Sequence, residues 1–288
     1  MNAFDIETGP QPDSQLAEMM EPWDPEKEIP DPGPFDPNNR DHFKAGQTKD
    51  PAKLEVKIAE ARAKHESERK DIKKRRAQAG EARMAKFRDE AALSPLTGCT
   101  LAIGYFVEDK GFRVSFVDAN LIGDRAASQW VEPKAVFAEK FQAALVCRDE
   151  FELIHDFWNF ISHSVKERAS TCGHFIHGYD LPFLLNRSRI LGVDVPKGIV
   201  EFRGKWPNWN PLLIDTHPLW TFGNNAKGFG LGNVSKACGG PGKPPGEDGG
   251  DFHRNFNAGT EEGRRKAFSY LFNDMEMSVL VALKAGII

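Results

Sequence analysis

The sequence predicts an α/β domain: a mixed sheet flanked by helices, with a charged helical insertion after its first strand. Three observations predict it. Phe4-Asp5-Ile6-Glu7 alternates apolar and acidic residues with the period of two that a strand imposes. From residue 98 onward, apolar runs of strand length alternate with stretches of helical spacing. Between these regions, residues 10–91 carry no pattern that would build a core. The 288 residues are 40% apolar and 28% charged, enough for one large domain, or at most two, with a real interior, which excludes disorder throughout.

After the first strand the character changes. Eight of the nineteen prolines fall between Pro10 and Pro37, and residues 11–40 hold eight acidic side chains against two basic ones. That composition reads as an extended, acidic, proline-stiffened excursion over 10–50, with Trp23, Phe35 and Phe43 available to pin it. Residues 51–91, rich in Ala, Glu, Lys and Arg and opening on Asp50-Pro51, read as a long helix or a helix pair. They hold thirteen basic and eight acidic residues, 13 − 8 = +5, crowded at Lys73, Lys74, Arg75 and Arg76. Such a run is a solvated helical arm or a clamp for a nucleic-acid backbone.

Residues 99–107 and 112–117 read as two strands joined through the turn Glu108-Asp109-Lys110-Gly111. Segments 137–146 and 151–161 have helical spacing, 173–179 reads as a short strand, 181–191 as a helix and 211–215 as a further strand. A short helix at 231–238 ends at Gly239-Gly240, a Gly/Pro-rich loop follows to about Asp251, and a last helix spans about 270–284.

Composition narrows the classes. The four cysteines are widely spaced with no Cys-x-x-Cys pair, which speaks for buried reduced thiols over a zinc knuckle or a disulfide framework. The net charge, 38 − 42 = −4, argues against coating nucleic acid by bulk charge but leaves room for a local basic patch. No run approaches the roughly 18 apolar residues of a membrane helix, and the start of the chain lacks the order of a signal peptide, so the expectation is a soluble cytoplasmic protein with no membrane partner.

Three elements carry chemistry. On a strand, Asp5 and Glu7 share one face while Phe4 and Ile6 share the other; two adjacent carboxylates either face open water or are neutralised by a cation, and oxygen-only ligands favour Mg²⁺ or Mn²⁺ over zinc. Asp180 stands between a strand and a helix, where it is either a helix cap or a functional acid. Tyr270 and Asp274, four apart, put a phenol and a carboxylate on one helical face, a pairing also common on surfaces. Together, and in this order, they are much less expected by chance. His174 and His177 face opposite sides of a strand and do not make a zinc pair, and the glycine-rich run at 228–232 reads as a turn entering a helix.

The order Phe-Asp-Ile-Glu-Thr at 4–8, Gly-His-x-Ile-x-x-Tyr-Asp-Leu-Pro-Phe-Leu at 173–184 and Tyr-x-x-Asn-Asp at 270–274 resembles the three motifs of the DEDDy-type 3′–5′ exonucleases, in the stand-alone bacterial or phage form similar to the proofreading domain of family B DNA polymerases. The likeness covers residues 4–9, about 98–192 and about 211–285, which leaves 10–91 as an insertion. One departure is Phe175, beside His174, where such proteins often have Asn. The resemblance implies a ribonuclease H-like fold with a mixed five-stranded sheet, and a single exonuclease domain over 1–288 interrupted by 10–50 and 51–91. It implies two Mg²⁺ or Mn²⁺ held by Asp5, Glu7, Asp180 and Asp274, with Asp5 bridging, and Tyr270 orienting the attacking water. The backbone around Glu7, Thr8 and Gly9 would receive the terminal 3′ nucleotide of single-stranded or frayed DNA, and the product would be a nucleoside monophosphate. With no polymerase domain after the motifs, the chain would act alone or with a replication or repair protein. RNA 3′ trimming and a non-catalytic nucleic-acid-binding module are the alternatives, the first because only a contact at the 2′ position separates the substrates.

Overall fold

Strand β1 (Asn2–Pro10) lies inside a mixed sheet, and the strands that follow are β2 (Gly98–Val107), β3 (Gly111–Val117), β4 (Gln129–Val131), β5 (Ala143–Cys147), β6 (Thr171–Gly173), a separate hairpin of β7 (Val200–Arg203) and β8 (Trp206–Trp209), and β9 (Leu213–Asp215). This computed structural model describes every residue except 40, 45, 47–49, 119, 120, 122–127, 204, 205, 225, 245–249 and 288. Part of the Gly/Pro-rich loop before Asp251 thus lies outside the described residues. The helices are α1 (Asp13–Met19), α2 (Pro25–Glu28), α3 (Pro51–Lys70), α4 (Ile72–Ala91), α5 (Glu150–Lys166), α6 (Asp180–Leu191), α7 (Thr216–Thr221), α8 (Leu231–Ala237), α9 (Asp251–Asn257) and α10 (Glu261–Lys284). The chain forms two compact units, Met1–Leu16 with Asp89–Ile288, and Ala17–Arg88.

In the first unit the sheet order is β4-β5-β3-β2-β1-β6-β9. The β1–β2, β2–β3 and β4–β5 pairs are antiparallel, and β3–β5, β1–β6 and β6–β9 are parallel. Among the described residues the sheet therefore has seven strands where five were expected, in an arrangement broadly consistent with a ribonuclease H-like architecture. The extra strands lie beyond β3. Segment 137–146, expected to be helical, supplies β5: its apolar run places Ala144 and Val146 on one face and Leu145 and Cys147 on the other. A continuous apolar run does not distinguish a buried helix from a strand covered on both faces, and here both faces are covered.

One face carries Ala3, Ala102, Val114 and Phe116 against Phe268, Leu271 and Met275 of α10. The other carries Phe4, Ile6, Ile103 and Tyr105 against Leu153, Phe157 and Ile161 of α5 and Leu181 and Leu184 of α6. Burying each such large apolar side chain contributes about 1.5–3 kcal/mol. The alternation along β1 thus sends Phe4 and Ile6 into one core and turns Asp5 and Glu7 toward the face covered by α10. Gly104, cross-strand partner of Asp5, is where that helix comes closest: a Cβ there would stand 2.8 Å from Met275 and 3.0 Å from Leu271.

Two further boundaries differ from expectation. Helix α10 starts at Glu261, capped by the Thr260 hydroxyl, which accepts from Gly263 N–H at 3.1 Å. Its first turns are mostly polar, so apolar periodicity shows only from about Tyr270; the Thr-Glu-Glu start was the readable signal. Strand β6 stops at Gly173, and residues 174–179 form turns because Phe175 adopts a left-handed backbone, φ 66°. All four cysteines are unpaired thiols; Cys147 and Cys172 are buried, and burial pushes both up to about 12. No helix among the described residues is long and apolar enough to cross a membrane.

In the second unit, α3 begins as expected, Asp50 accepting from Ala52 N–H at 3.1 Å with Pro51 in the first turn, and Asp71 separates it from α4. The acidic segment is more structured than an extended excursion. Asp24-Pro25 starts α2, the carboxylate accepting from Glu26 N–H at 2.9 Å, so the composition read as stiff chain also supplies helix caps. Trp23 lies on Gly80, where a Cβ would meet its ring at 2.6 Å, and Phe35 packs on His65 with ring centroids 5.5 Å apart. Asp31 accepts from Arg69 at 3.0 Å, and the Ile29 carbonyl from Arg76 at 2.9 Å. Lys73, Lys74 and Arg75 remain exposed.

Candidate metal centre

Asp5, Glu7 and Asp274 converge, each offering a carboxylate oxygen within 4.8 Å of the others. Among the described residues this is the only group of three or more His, Cys, Asp or Glu side chains so arranged. Glu7 and Asp274 are buried and Asp5 is partly exposed. The backbone explains the convergence. Period two on β1 aligns Asp5 with Glu7, close seating of α10 over Gly104 brings Asp274 down onto them, and Tyr270 sits one helical turn earlier on α10. A register shift between Glu7 and Thr8, with Leu101 as the extra residue on β2, bends the sheet beside the cluster.

Asp180 lies outside that group of three but next to it. It is the first residue of α6 and does not act as a side-chain cap; its Oδ1 instead accepts from the Ile6 N–H at 3.3 Å, across the strand that carries Asp5 and Glu7. Burial raises its pKa to about 7, against the pull of backbone hydrogen bonds. Burial also raises Asp5 and Glu7 well above the usual carboxylate range; the charges of Asp180 and Asp274 add to it at Asp5, and those of Asp5 and Asp274 at Glu7. Asp274 is raised by burial and pulled back by Lys243.

Lys243 was not singled out in the sequence. Its Nζ donates to the Tyr270 Oη at 2.6 Å and to Asp274 Oδ2 at 2.8 Å, and stands 4.7 Å from the centre of the Tyr270 ring. It comes from the Gly/Pro-rich loop after α8, where no periodicity marks any residue, so no sequence signal singles it out. Burial opposes its charge, but Asp274 and Tyr270 together hold it firmly protonated. Burial and the Asp274 and Glu7 charges raise the Tyr270 phenol, which therefore keeps its proton. Lys243 fills a lone pair of the phenol oxygen, and the Tyr270 hydroxyl in turn hydrogen-bonds Asp274, which also pulls the Asp274 pKa down.

Among the described residues, the Lys243 ammonium opposes the charges of Asp5, Glu7 and Asp274. These three carboxylates, without sulfur or imidazole and within reach of one point, form a donor set that fits one hard divalent cation, Mg²⁺ or Mn²⁺. Lys243 competes with such a cation for Asp274. Lys243→Met is therefore expected to tighten Mn²⁺ binding by about tenfold in titration calorimetry; unchanged or weaker affinity would show that the ammonium does not compete.

The remaining residues divide. The Thr8 hydroxyl meets the Tyr179 hydroxyl at 2.9 Å, beside the cluster. Gly9 is covered by Leu101, whose Cδ1 would stand 2.5 Å from a Cβ there. Lys73, Lys74, Arg75 and Arg76 belong to the other unit, and Arg76 is also paired with Glu26 at 3.4 Å. His174 and His177 ligate nothing in common. His174 Nε2 donates to the Phe229 carbonyl at 2.8 Å, so Nδ1 accepts from the Thr216 hydroxyl at 2.9 Å and the ring is neutral, in keeping with a pKa lowered by burial. His177 Nε2 donates to the Leu213 carbonyl at 3.0 Å.

Asp215, at the end of β9, organises the turn at 174–179 that bears both histidines. Its Oδ1 accepts from Phe175 N–H at 2.8 Å and His217 N–H at 2.9 Å, and its Oδ2 from His177 N–H at 2.9 Å. A strand-ending Asp followed by Thr-His was the only local hint. No protein-family model matches the chain, and comparison with curated proteins returns no match.

Proposed function

We propose that the chain is a metal-dependent 3′–5′ exonuclease that hydrolyses phosphodiester bonds at single-stranded or frayed DNA ends and releases nucleoside monophosphates. The observation that carries this reading is the convergence of Asp5, Glu7 and Asp274, with Asp180 against the backbone of the same strand and Tyr270 on the same helix face as Asp274. The motif order supports the direction of cutting. Asp5, Glu7 and Asp274 would hold one cation, and Asp5 with Asp180 a second. Bound there, Mg²⁺ or Mn²⁺ supplies Lewis-acid stabilisation of the charge that builds on the attacking and leaving oxygens.

The chain's own groups do the rest. Tyr270, kept protonated, would turn its phenol hydrogen from Asp274 to the attacking water and orient it, and a group held so firmly protonated is no general base. Lys243 fixes the phenol and adds a positive charge beside the scissile phosphate. The buried walls around Glu7 and Asp274 restrict bulk water, which strengthens each of these contacts. The exposed Lys73, Lys74 and Arg75 are the part of the helical arm left to contact a nucleic-acid backbone.

The test is incubation with 5′-labelled single-stranded DNA and matched RNA in Mg²⁺ or Mn²⁺, resolved on a gel. A ladder shortening from the 3′ end and abolished by chelator is expected, with DNA the better substrate. No shortening of either strand in either metal overturns the reading; RNA shortened faster than DNA replaces the substrate and keeps the chemistry.

A further inference from the structure

We propose that a stripe of arginines along the helical arm binds the phosphate backbone of a single strand, and that the acidic segment 21–35 covers this stripe and is displaced when the strand binds. This rests on the nucleic-acid reading above and deepens it by naming the surface that holds the strand and the element that regulates it. Every group involved lies within the Ala17–Arg88 unit.

Arg62, Arg69, Arg76 and Arg83 recur every seven residues across α3 and α4. Asp71, between the helices, keeps a right-handed helical backbone; its N–H donates to the Ser67 carbonyl at 3.1 Å and its carbonyl accepts from Arg75 N–H at 2.9 Å. The ladder thus runs through the junction, and a spacing of seven puts successive guanidinium groups about 10 Å apart on nearly one side. Segment 21–35 runs antiparallel along that stripe. Arg83 donates to the Glu21 carbonyl at 3.0 Å, and Arg76 to the Ile29 carbonyl at 2.9 Å and the Glu26 carboxylate at 3.4 Å. Arg69 donates to Asp31 at 3.0 Å, and Arg62 stands 5.6 Å from the centre of the Phe35 ring. With five acidic residues, one basic residue and five prolines, this segment is itself a stiff, extended anion.

The cover uses the stripe poorly. Each guanidinium carries five N–H donors in a fork that matches a phosphate. Among the described residues, Arg69 and Arg83 each give one N–H to the segment and Arg76 gives two. Arg69 and Asp31 are both nearly half exposed and the Glu26 side chain is 80% exposed, and exposed pairs of this kind contribute about 0–1 kcal/mol each. Phosphate oxygens, able to take both arms of each fork, would outcompete them. The segment is anchored instead by an apolar contact: Trp23 sits on Gly80, where a Cβ would stand 2.6 Å from its ring. Glycine inside a helix costs about 1 kcal/mol relative to alanine, so α4 is weakened at the one place where the cover docks its tryptophan.

The experiment uses the full chain in chelator with a fluorescein-labelled oligo-dT, and reads anisotropy as salt is varied. Trp23→Ala and Gly80→Ala release the segment without changing any charge. Both are expected to bind about five- to tenfold more tightly than wild type at about 0.1 M salt, with a slope of log affinity against log salt steeper by about two as three arginines take up phosphates. Circular dichroism should show the arm's helices kept, since alanine at position 80 favours them. Adding Arg69→Gln and Arg76→Gln to Gly80→Ala should cancel the gain. Unchanged or weaker binding in both releasing variants, or a gain that survives loss of the two arginines, overturns the proposal. Trimming of the same oligonucleotide by wild type in Mg²⁺ separates the two readings: trimming without tighter binding in the variants overturns the cover alone, and neither trimming nor binding overturns both.

Discussion

Replacing Asp5, Glu7 or Asp274 by alanine is expected to slow 3′-end trimming by about 10³-fold or more at saturating Mg²⁺, a loss of about 4 kcal/mol of transition-state stabilisation. The size follows from the geometry. Each residue is one of three carboxylates whose oxygens lie within 4.8 Å of each other, so removing one dismantles a shared site rather than trimming a contact. For the same reason the Asp5→Ala/Glu7→Ala double variant should be no slower than the worse single one. Binding of the strand in Ca²⁺, measured by fluorescence anisotropy, should stay within a few-fold of wild type, because stacking and backbone contacts do not need all three acids. A variant that trims within tenfold of wild type removes that carboxylate from the site. Asp180→Ala separates one cation from two: a loss as deep as that of Asp5→Ala supports a second ion, whereas a loss of tenfold or less makes Asp180 a brace for β1 through its bond to Ile6 N–H.

What was legible in the sequence was what depends on short periodicity. Alternation at Phe4-Asp5-Ile6-Glu7 placed two acids on one face and two apolar residues in a core, and the spacing of Tyr270 and Asp274 placed both on one side of a helix. What was not legible depends on chain segments meeting from afar. Lys243 reaches Asp274 from a Gly/Pro-rich loop with no pattern, and Asp215 finds its partners at Phe175 and His177, which lie in a turn that the sequence reads as strand. The strand count failed for a local reason: the run ending Ala143-Ala144-Leu145-Val146 has no polar face to betray its period, since the sheet buries both sides of it. Gly104 would have been dismissed as a weak point in a strand, yet its missing side chain is what lets α10 carry Asp274 to Asp5.

Metal-free protein is expected to lose stability as pH rises from about 4 to about 7, the opposite of ordinary acid denaturation. The direction follows from linkage. In the unfolded chain Asp180 ionises near its ordinary value of 3.8, whereas in the folded protein burial holds its proton to about 7. Asp5 and Glu7 are displaced in the same direction, by burial first and by neighbouring carboxylates second. Across that window the unfolded state binds fewer protons than the folded state, so the unfolding free energy falls with pH and levels off above the folded values. The loss is a few kcal/mol, which lowers the melting temperature of the sheet-bearing unit by about 5–10 °C between pH 5 and pH 7.5 in chelator. Millimolar Mn²⁺ should restore it, with about 2.7 kcal/mol regained at a hundred times the dissociation constant. Asp5→Asn removes one of the repelling charges and should therefore melt higher than wild type in chelator at pH 7.5, gain less from Mn²⁺, and cleave nothing. Differential scanning calorimetry over pH, with and without Mn²⁺, reads all three effects. A metal-free melting temperature that rises between pH 5 and 7.5, or an Asp5→Asn variant that melts below wild type in chelator, would show that the carboxylates are compensated within the fold and that no cation is needed to hold them together.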